Sequence, residues 1–188
     1  SDVKGVDNVI RAHANSVSDT RNCTTIRNAS GVEVATVEHL LSACAGLGID
    51  NLIVEVDGAE VPILDGSSAQ FVQVLLNAGV KQQSATQPVI RIIEPIEVHM
   101  GGKRAALLPS LDGEGLDLDV TIRFADAAIG VQRKQLKLTP QSFLNDIADA
   151  RTFGFLADEQ AMRAAGLGRG ASMANTLVVD SGRVVNPE

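Results

Sequence analysis

From Leu116 to Phe124 apolar residues hold every second position: Leu116, Leu118, Val120, Ile122 and Phe124 are separated by Asp117, Asp119, Thr121 and Arg123. A period of two sends successive side chains to opposite faces, so this run predicts a half-buried antiparallel strand. Earlier in the chain the period changes. Val37, Leu40, Leu41 and Cys44 fall at i, i+3, i+4 and i+7, one apolar stripe of a helix predicted over 36–47. Thr36 is its expected cap, and Gly46-Leu47-Gly48 its stop. A second helix, roughly 68–78, presents Phe71, Val74, Leu75 and Ala78 and stops at Gly79.

The rest of the chain follows the same mixture. Residues 1–30 read as short strands and loops, Asn51–Val56 as a branched strand, and Val61–Leu64 as a short one with an edge-type proline. Val89–Val98 reads as a strand broken at Pro95. Thr139-Pro140 supplies a cap and a first-turn proline for a helix with Phe143, Leu144 and Ile147 on one side. A short helix is expected near 158–165, and a hairpin about Ser181-Gly182 closes the series. Lys81 to Pro88 is polar and proline-ended, and a domain boundary is placed there. The expectation is an α+β protein of two similar domains, 1–84 and 85–188. Each would be a mainly antiparallel sheet covered by helices.

A chain of 188 residues has room for two such units. Aromatics make up 3%, five Phe with no Tyr or Trp, so the cores must be aliphatic and stacking platforms for single-stranded nucleic acid are nearly excluded. A net charge of −7 has the wrong sign for holding phosphate backbones, so no nucleic-acid partner is expected. Cys23 and Cys44 form no C-x-x-C pair, which favours reduced thiols and a cytoplasmic setting. No apolar run reaches the ~18 residues of a membrane span, so no stable membrane anchor is expected. The first residues lack a Met and a signal-peptide profile, and both ends read as cut.

Glu38-His39 is the most informative pair. On the predicted helix His39 lies about 160° from the centre of the apolar stripe and Glu38 about 100°, so neither fills that helix's core. A neutral imidazole is a good zinc ligand, and an adjacent carboxylate can take a proton from water. A solvated pair on an outer helix face has the same spacing. His13 and His99 have no H-x-x-x-H partner and read as surface or packing residues. Arg151-Thr152-Phe153-Gly154-Phe155 joins a hydroxyl, a glycine and two rings; it is either an oxyanion donor or a strand start with buried rings. Gly166-Leu167-Gly168-Arg169-Gly170 lacks a phosphate-loop pattern, and Ser67 and Ser68 sit in no G-x-S-x-G elbow.

Three runs, however, resemble one family: Thr36 to Ala43 with Ala45 to Asn51, Glu60 to Ser67, and Ala150 to Phe155. The family is the UDP-3-O-acyl-N-acetylglucosamine deacetylases, zinc amidases of lipid A biosynthesis in Gram-negative bacteria, and the similarity runs over essentially the whole chain. The resemblance implies that His39 is a zinc ligand, Glu38 the general base, and Thr152 the hydroxyl that assists at the oxyanion. Phe153 matches an aromatic near the UDP moiety and Phe124 another, and Cys23 lies in a threonine-rich loop resembling the one that faces the metal. Residues about 154–178 resemble a βαβ insert forming a passage for the acyl chain, lined at Leu156, Ser172, Met173 and Val178. Glu159 stands there in place of an expected apolar residue. The family's two similar domains face each other across the active site.

The same resemblance implies two further zinc ligands and a general-acid histidine beyond Glu188, so the chain is expected to be an interior fragment. The expected activity is zinc-dependent hydrolysis of the N-acetyl group of UDP-3-O-acyl-N-acetylglucosamine by a cytoplasmic monomer. The alternative is a non-catalytic fragment or ligand-binding module.

Overall fold

The computed structural model describes residues 7–110, 112–158, 164 and 170–186. It is α+β, built from small sheets and helices in the order given by the chain. After a 3-10 turn at Ala14–Ser16, β1 (Val17–Asp19), β2 (Thr25–Arg27) and β3 (Glu33–Val34) make a three-stranded antiparallel sheet. Then come α1 (Glu38–Leu47) and α2 (Ala69–Ala78). Two antiparallel hairpins follow: β4 (Ile96–Met100) with β5 (Lys103–Leu107), and β6 (Leu116–Arg123) with β7 (Val131–Leu138). After α3 (Pro140–Asp146), β8 (Phe153–Phe155) pairs in parallel with β9 (Leu177–Asp180), which turns back to β10 (Arg183–Val184).

Local signals placed several elements where the sequence put them. Thr139 caps α3 by accepting from the Ser142 N–H, Ser142 returns a bond to the Thr139 N–H, and Pro140 opens the first turn. Gly48 ends α1 at φ 69°, and Ser181 (φ 50°) with Gly182 (φ 82°) supplies the two positive-φ residues of the β9–β10 turn.

Other expectations are corrected. Helix α1 starts at Glu38 rather than at 36, and Thr36 does not cap it, because it takes φ +58° and spends its hydroxyl on Glu60. Ala43 rather than Leu41 joins Val37, Leu40 and Cys44 in the interior, and Val72 replaces Val74 on α2. Asn51–Val56 and Val89–Ile93 form no strand; each lacks a ladder partner among the described residues, and Ile53 and Ile90 are about nine-tenths exposed. Of the Val61–Leu64 strand only its lead-in pairs, as a parallel bridge between Ala35 and Glu60, before the chain turns at Leu64 (φ 54°). The alternation of β6 is present, but only Leu118 and Ile122 are half-buried. Most of the expected 158–165 helix, with Glu159 and the 166–169 glycine-rich run, lies outside the described residues.

Two apolar clusters share α1. Ile26, Val37, Leu40, Cys44 and Val61 form the first, against the β1–β3 sheet; Ala43, Val72, Phe143 and Ala148 form the second, against α3. Phe71 and Leu75 of α2 pack on both, so α2 links the two clusters. Gly46 lets α3 approach: a Cβ there would stand 2.2 Å from the Phe143 ring. Among the described residues no helix is long and apolar enough to cross a membrane.

Candidate active site

The first turn of α1 opens onto a cleft lined by Glu38, His39, Ser42, Ser68, Ile147 and Ala150. The placement follows from the helical period. With Val37, Leu40, Ala43 and Cys44 drawn into the core, Glu38, His39 and Ser42 share the remaining face. One oxygen of the Glu38 carboxylate accepts the Thr24 N–H at 2.9 Å, and the Thr24 carbonyl accepts the Val37 N–H at 3.3 Å. The loop before β2 thus holds the acid. Ser68 at the far wall is pinned by donating its N–H and its hydroxyl, both at 3.1 Å, to the Ala148 carbonyl.

Three runs distant in sequence meet here. Ala35 and Glu60 are bridged through Ala35 N–H to Ala59 carbonyl (2.9 Å) and Val61 N–H to Ala35 carbonyl (3.0 Å). The Thr36 hydroxyl donates to Glu60 Oε1 at 2.7 Å. Further along, the Asp65 carboxylate accepts the Ser67 N–H and hydroxyl at 3.0 and 2.8 Å, tightening the entry to α2. The Thr152 N–H bonds the Gly66 carbonyl at 2.8 Å, and Arg151 spans from the Asp65 carbonyl (3.0 Å) to the Ala174 carbonyl (2.7 Å). Gly66 sits at φ 84°, with the Asn175 carbonyl so near that a Cβ would stand 1.8 Å from it. Left-handed backbone at Thr36, a β-branched residue, is strained by about 1–3 kcal/mol, and such strain persists only where the surroundings over-determine it.

Of the residues singled out from sequence, Glu38 and His39 line the cleft together. Thr152 does not line it; it stands two residues past Ala150, which does, and is locked between Gly66 and Leu177 by its backbone. Cys23 adjoins Thr24, with its Sγ 3.8 Å from Thr25 Oγ1. Cys44 is a core residue whose burial pushes its thiol pKa up. Phe124 and Phe153 meet edge to face at 5.3 Å, outside the cleft lining. Phe155 completes their cluster, 5.9 Å from Phe124 and 6.2 Å from Phe153.

Leu156 and Met173 are exposed, as is Ser172, whose carbonyl accepts the Asn175 and Thr176 N–H groups. Val178 pairs with Gly154 across the parallel ladder. His13 Nδ1 accepts the Asn15 N–H, and His99 pairs with Glu97 on an exposed hairpin, so both are surface residues.

Sequence reasoning missed four lining residues and one clamp. Ser42 was available from the i+3 and i+4 spacing to His39 and Glu38. Ser68, Ile147 and Ala150 reach the cleft only through tertiary packing. Asn186 is the clamp: its amide donates to the Met173 and Thr176 carbonyls at 2.7 Å each, while its oxygen accepts the Val178 N–H at 2.6 Å.

Catalytic zinc takes three protein ligands and keeps an open position. Among the described residues no group of three or more His, Cys, Asp or Glu is placed to hold a metal ion. The cleft offers one imidazole, His39, with a carboxylate beside it.

A family model described as "LpxC: UDP-3-O-acyl N-acetylglycosamine deacetylase" matches residues 1–188. A protein of Phenylobacterium zucineum (strain HLK1) named UDP-3-O-acyl-N-acetylglucosamine deacetylase is 47% identical over 188 residues, which is 100% of this chain and 63% of that relative. Proteins of the same name from Histophilus somni (strain 129Pt) and Haemophilus influenzae (strain 86-028NP) are 43% and 44% identical over 179 residues, each match covering 94% of this chain and 58% of the relative. The chain therefore spans about six-tenths of the length of these curated relatives.

Proposed function

The chain belongs to the UDP-3-O-acyl N-acetylglycosamine deacetylase family, and from that premise we propose that the protein carrying it removes the N-acetyl group of UDP-3-O-acyl-N-acetylglucosamine in lipid A biosynthesis. One observation carries this reading: Glu38 and His39, adjacent in sequence, open together onto the cleft at the first turn of α1. His39 would be one zinc ligand, with the other two supplied from outside these 188 residues. When bound, zinc would supply a Lewis acid that polarises the acetamide carbonyl. Glu38, its carboxylate oriented by the Thr24 N–H, would take the proton of the attacking water. Thr152 would donate its hydroxyl where negative charge develops on the carbonyl oxygen.

The finer assignments belong to the same proposal. Residues 1–84 and 85–188 would be two domains facing each other across the site. The parallel β8–β9 pair requires a crossover connection, which supports the βαβ insert over about 154–178. Its passage, with Leu156, Ser172, Met173 and Val178 as lining, would take the acyl chain, since burying methylenes contributes about 0.8 kcal/mol each. Phe124 and Phe153 would lie near the UDP group, and Cys23 on the loop facing the metal. The protein would be a cytoplasmic monomer with neither a nucleic-acid partner nor a stable membrane anchor.

A second reading, a non-catalytic module, is favoured by the absence of a three-donor group among the described residues. The discriminating experiment is deacetylation of UDP-3-O-acyl-N-acetylglucosamine by the full-length protein, with zinc content measured on the same sample. Glu38→Ala is expected to retain zinc and lose about a hundredfold or more in kcat. Survival of turnover to within about tenfold removes Glu38 as the base. A wild-type protein that binds no zinc and releases no acetate leaves the module.

A further inference from the structure

The backbone immediately before Glu38 is held in a conformation its own sequence disfavours, and the group that holds it comes from another run of the chain. Thr36 is β-branched, buried and at φ +58°, a region L side chains rarely adopt. No side-chain cap at the α1 N-terminus compensates. What pins the turn is Glu60, 24 residues on, whose carboxylate accepts the Thr36 hydroxyl at 2.7 Å. The two backbone bonds that flank the Ala35–Glu60 bridge set Glu60 in register with this turn. The turn decides where α1 begins: it sends Val37 into the core and leaves Glu38 and His39 at the cleft.

Resting on the deacetylase reading of that cleft, we infer that Glu60 is a positioning residue for the Glu38-His39 pair, acting through the strained Thr36 turn. In this role Glu60 acts through the Thr36 hydroxyl that it holds and takes no proton in the reaction. It holds Thr36 left-handed, and thereby keeps the Glu38 carboxylate on the Thr24 N–H and the His39 ring toward the cleft. A backbone that relaxed to negative φ at Thr36 would swing the first turn of α1 and part that contact.

The test uses the full-length protein. Glu60→Ala is expected to lower kcat by about tenfold or more while leaving KM within about twofold, as misplacement of reacting groups does. Glu60→Gln, which keeps an oxygen acceptor, recovers most of that loss. Glycine adopts positive φ without strain, so in a Thr36→Gly background Glu60→Ala causes no further loss. Independently of turnover, Glu60→Ala speeds hydrogen exchange of the Thr24 amide, while the Ile26 amide within β2 keeps its rate. Unchanged kcat and Thr24 exchange in Glu60→Ala, or an equal kcat loss with and without Thr36→Gly, overturns the inference. An unsubstituted protein that does not deacetylate, while Glu60→Ala still speeds Thr24 exchange, overturns only the functional reading.

Discussion

The ground around α1 and the two long hairpins are held by different means. Around α1, buried side chains from β2, α2 and α3 interlock, and bonds that join residues far apart in sequence fix the loops. In β4–β5 and β6–β7 the ladders are long and in register, yet every residue of β4 is exposed and β7 half-buries only Leu136 and Leu138. Their side-chain bonds include surface ion pairs such as Arg104–Glu97 and Arg133–Asp119. The candidate cleft sits where long-range contacts hold a strained backbone. The hairpins have fewer such ties: β6–β7 reaches the rest of the chain through Leu138 on the second cluster, Lys134 to Asp146 of α3, and Asp126 accepting the Gly182 N–H.

The comparison breaks first at Phe143, which is 3% exposed and plugs the space between α1, α2 and α3. Phe143→Ala is expected to destabilise by about 3–5 kcal/mol through lost burial and the cavity left behind. Thermal melting should show this as a fall of about 6 °C or more, given roughly 2–4 °C per kcal/mol for a chain of this size. An effect no larger than that of an exposed hairpin substitution would dissolve the distinction between the two regions.

That distinction also explains what the sequence could reveal. The Thr139-Ser142 capping box, the stop at Gly48 and the Ser181-Gly182 turn are decided within a few residues, and each is found where its local chemistry put it. That Glu38 and His39 stand off the core was legible because both fall off the apolar stripe of one helix; their chemical role was implied only by the family resemblance. Thr36 was not, because its preference for capping lost to a carboxylate 24 residues away. Leu41 and Val74 were drawn inward by periodicity alone. The actual inward faces are set by where Phe143 and the β1–β3 sheet stand, which no helical wheel contains. Asn51–Val56 has strand composition, but a strand exists only with a partner, and composition does not supply one.

A smaller effect is expected at Gly66, where the second and third motif runs touch. A Cβ there would meet the Asn175 carbonyl at 1.8 Å, and the backbone stands at φ 84°. Gly66→Ala should therefore part the Gly66–Thr152 bond and destabilise by about 1–3 kcal/mol, as overpacking does. The sharper readout is local: amide exchange at Thr152 should quicken while that of β6 stays unchanged. Equal acceleration in both would mean that the junction is not a separate structural unit.

The smallest effect belongs to the hairpins. Arg133 donates to both carboxylate oxygens of Asp119, at 2.8 and 2.6 Å, and these bonds, with the charge of Arg133, hold the Asp119 pKa below the ordinary carboxylate range. A depressed folded-state pKa contributes stability that is present above the unfolded value, about 3.9, and is lost as pH falls through the folded one. Both groups are open to solvent, where a pair gains little and salt screens it. Arg133→Gln should thus lower the melting temperature only marginally at neutral pH. The difference should vanish in strong acid, where Asp119 is protonated in both proteins, and in molar salt. A large difference at pH 7 that survived salt would show Arg133 supporting more than its own ladder, and the hairpin would then belong with the ground around α1.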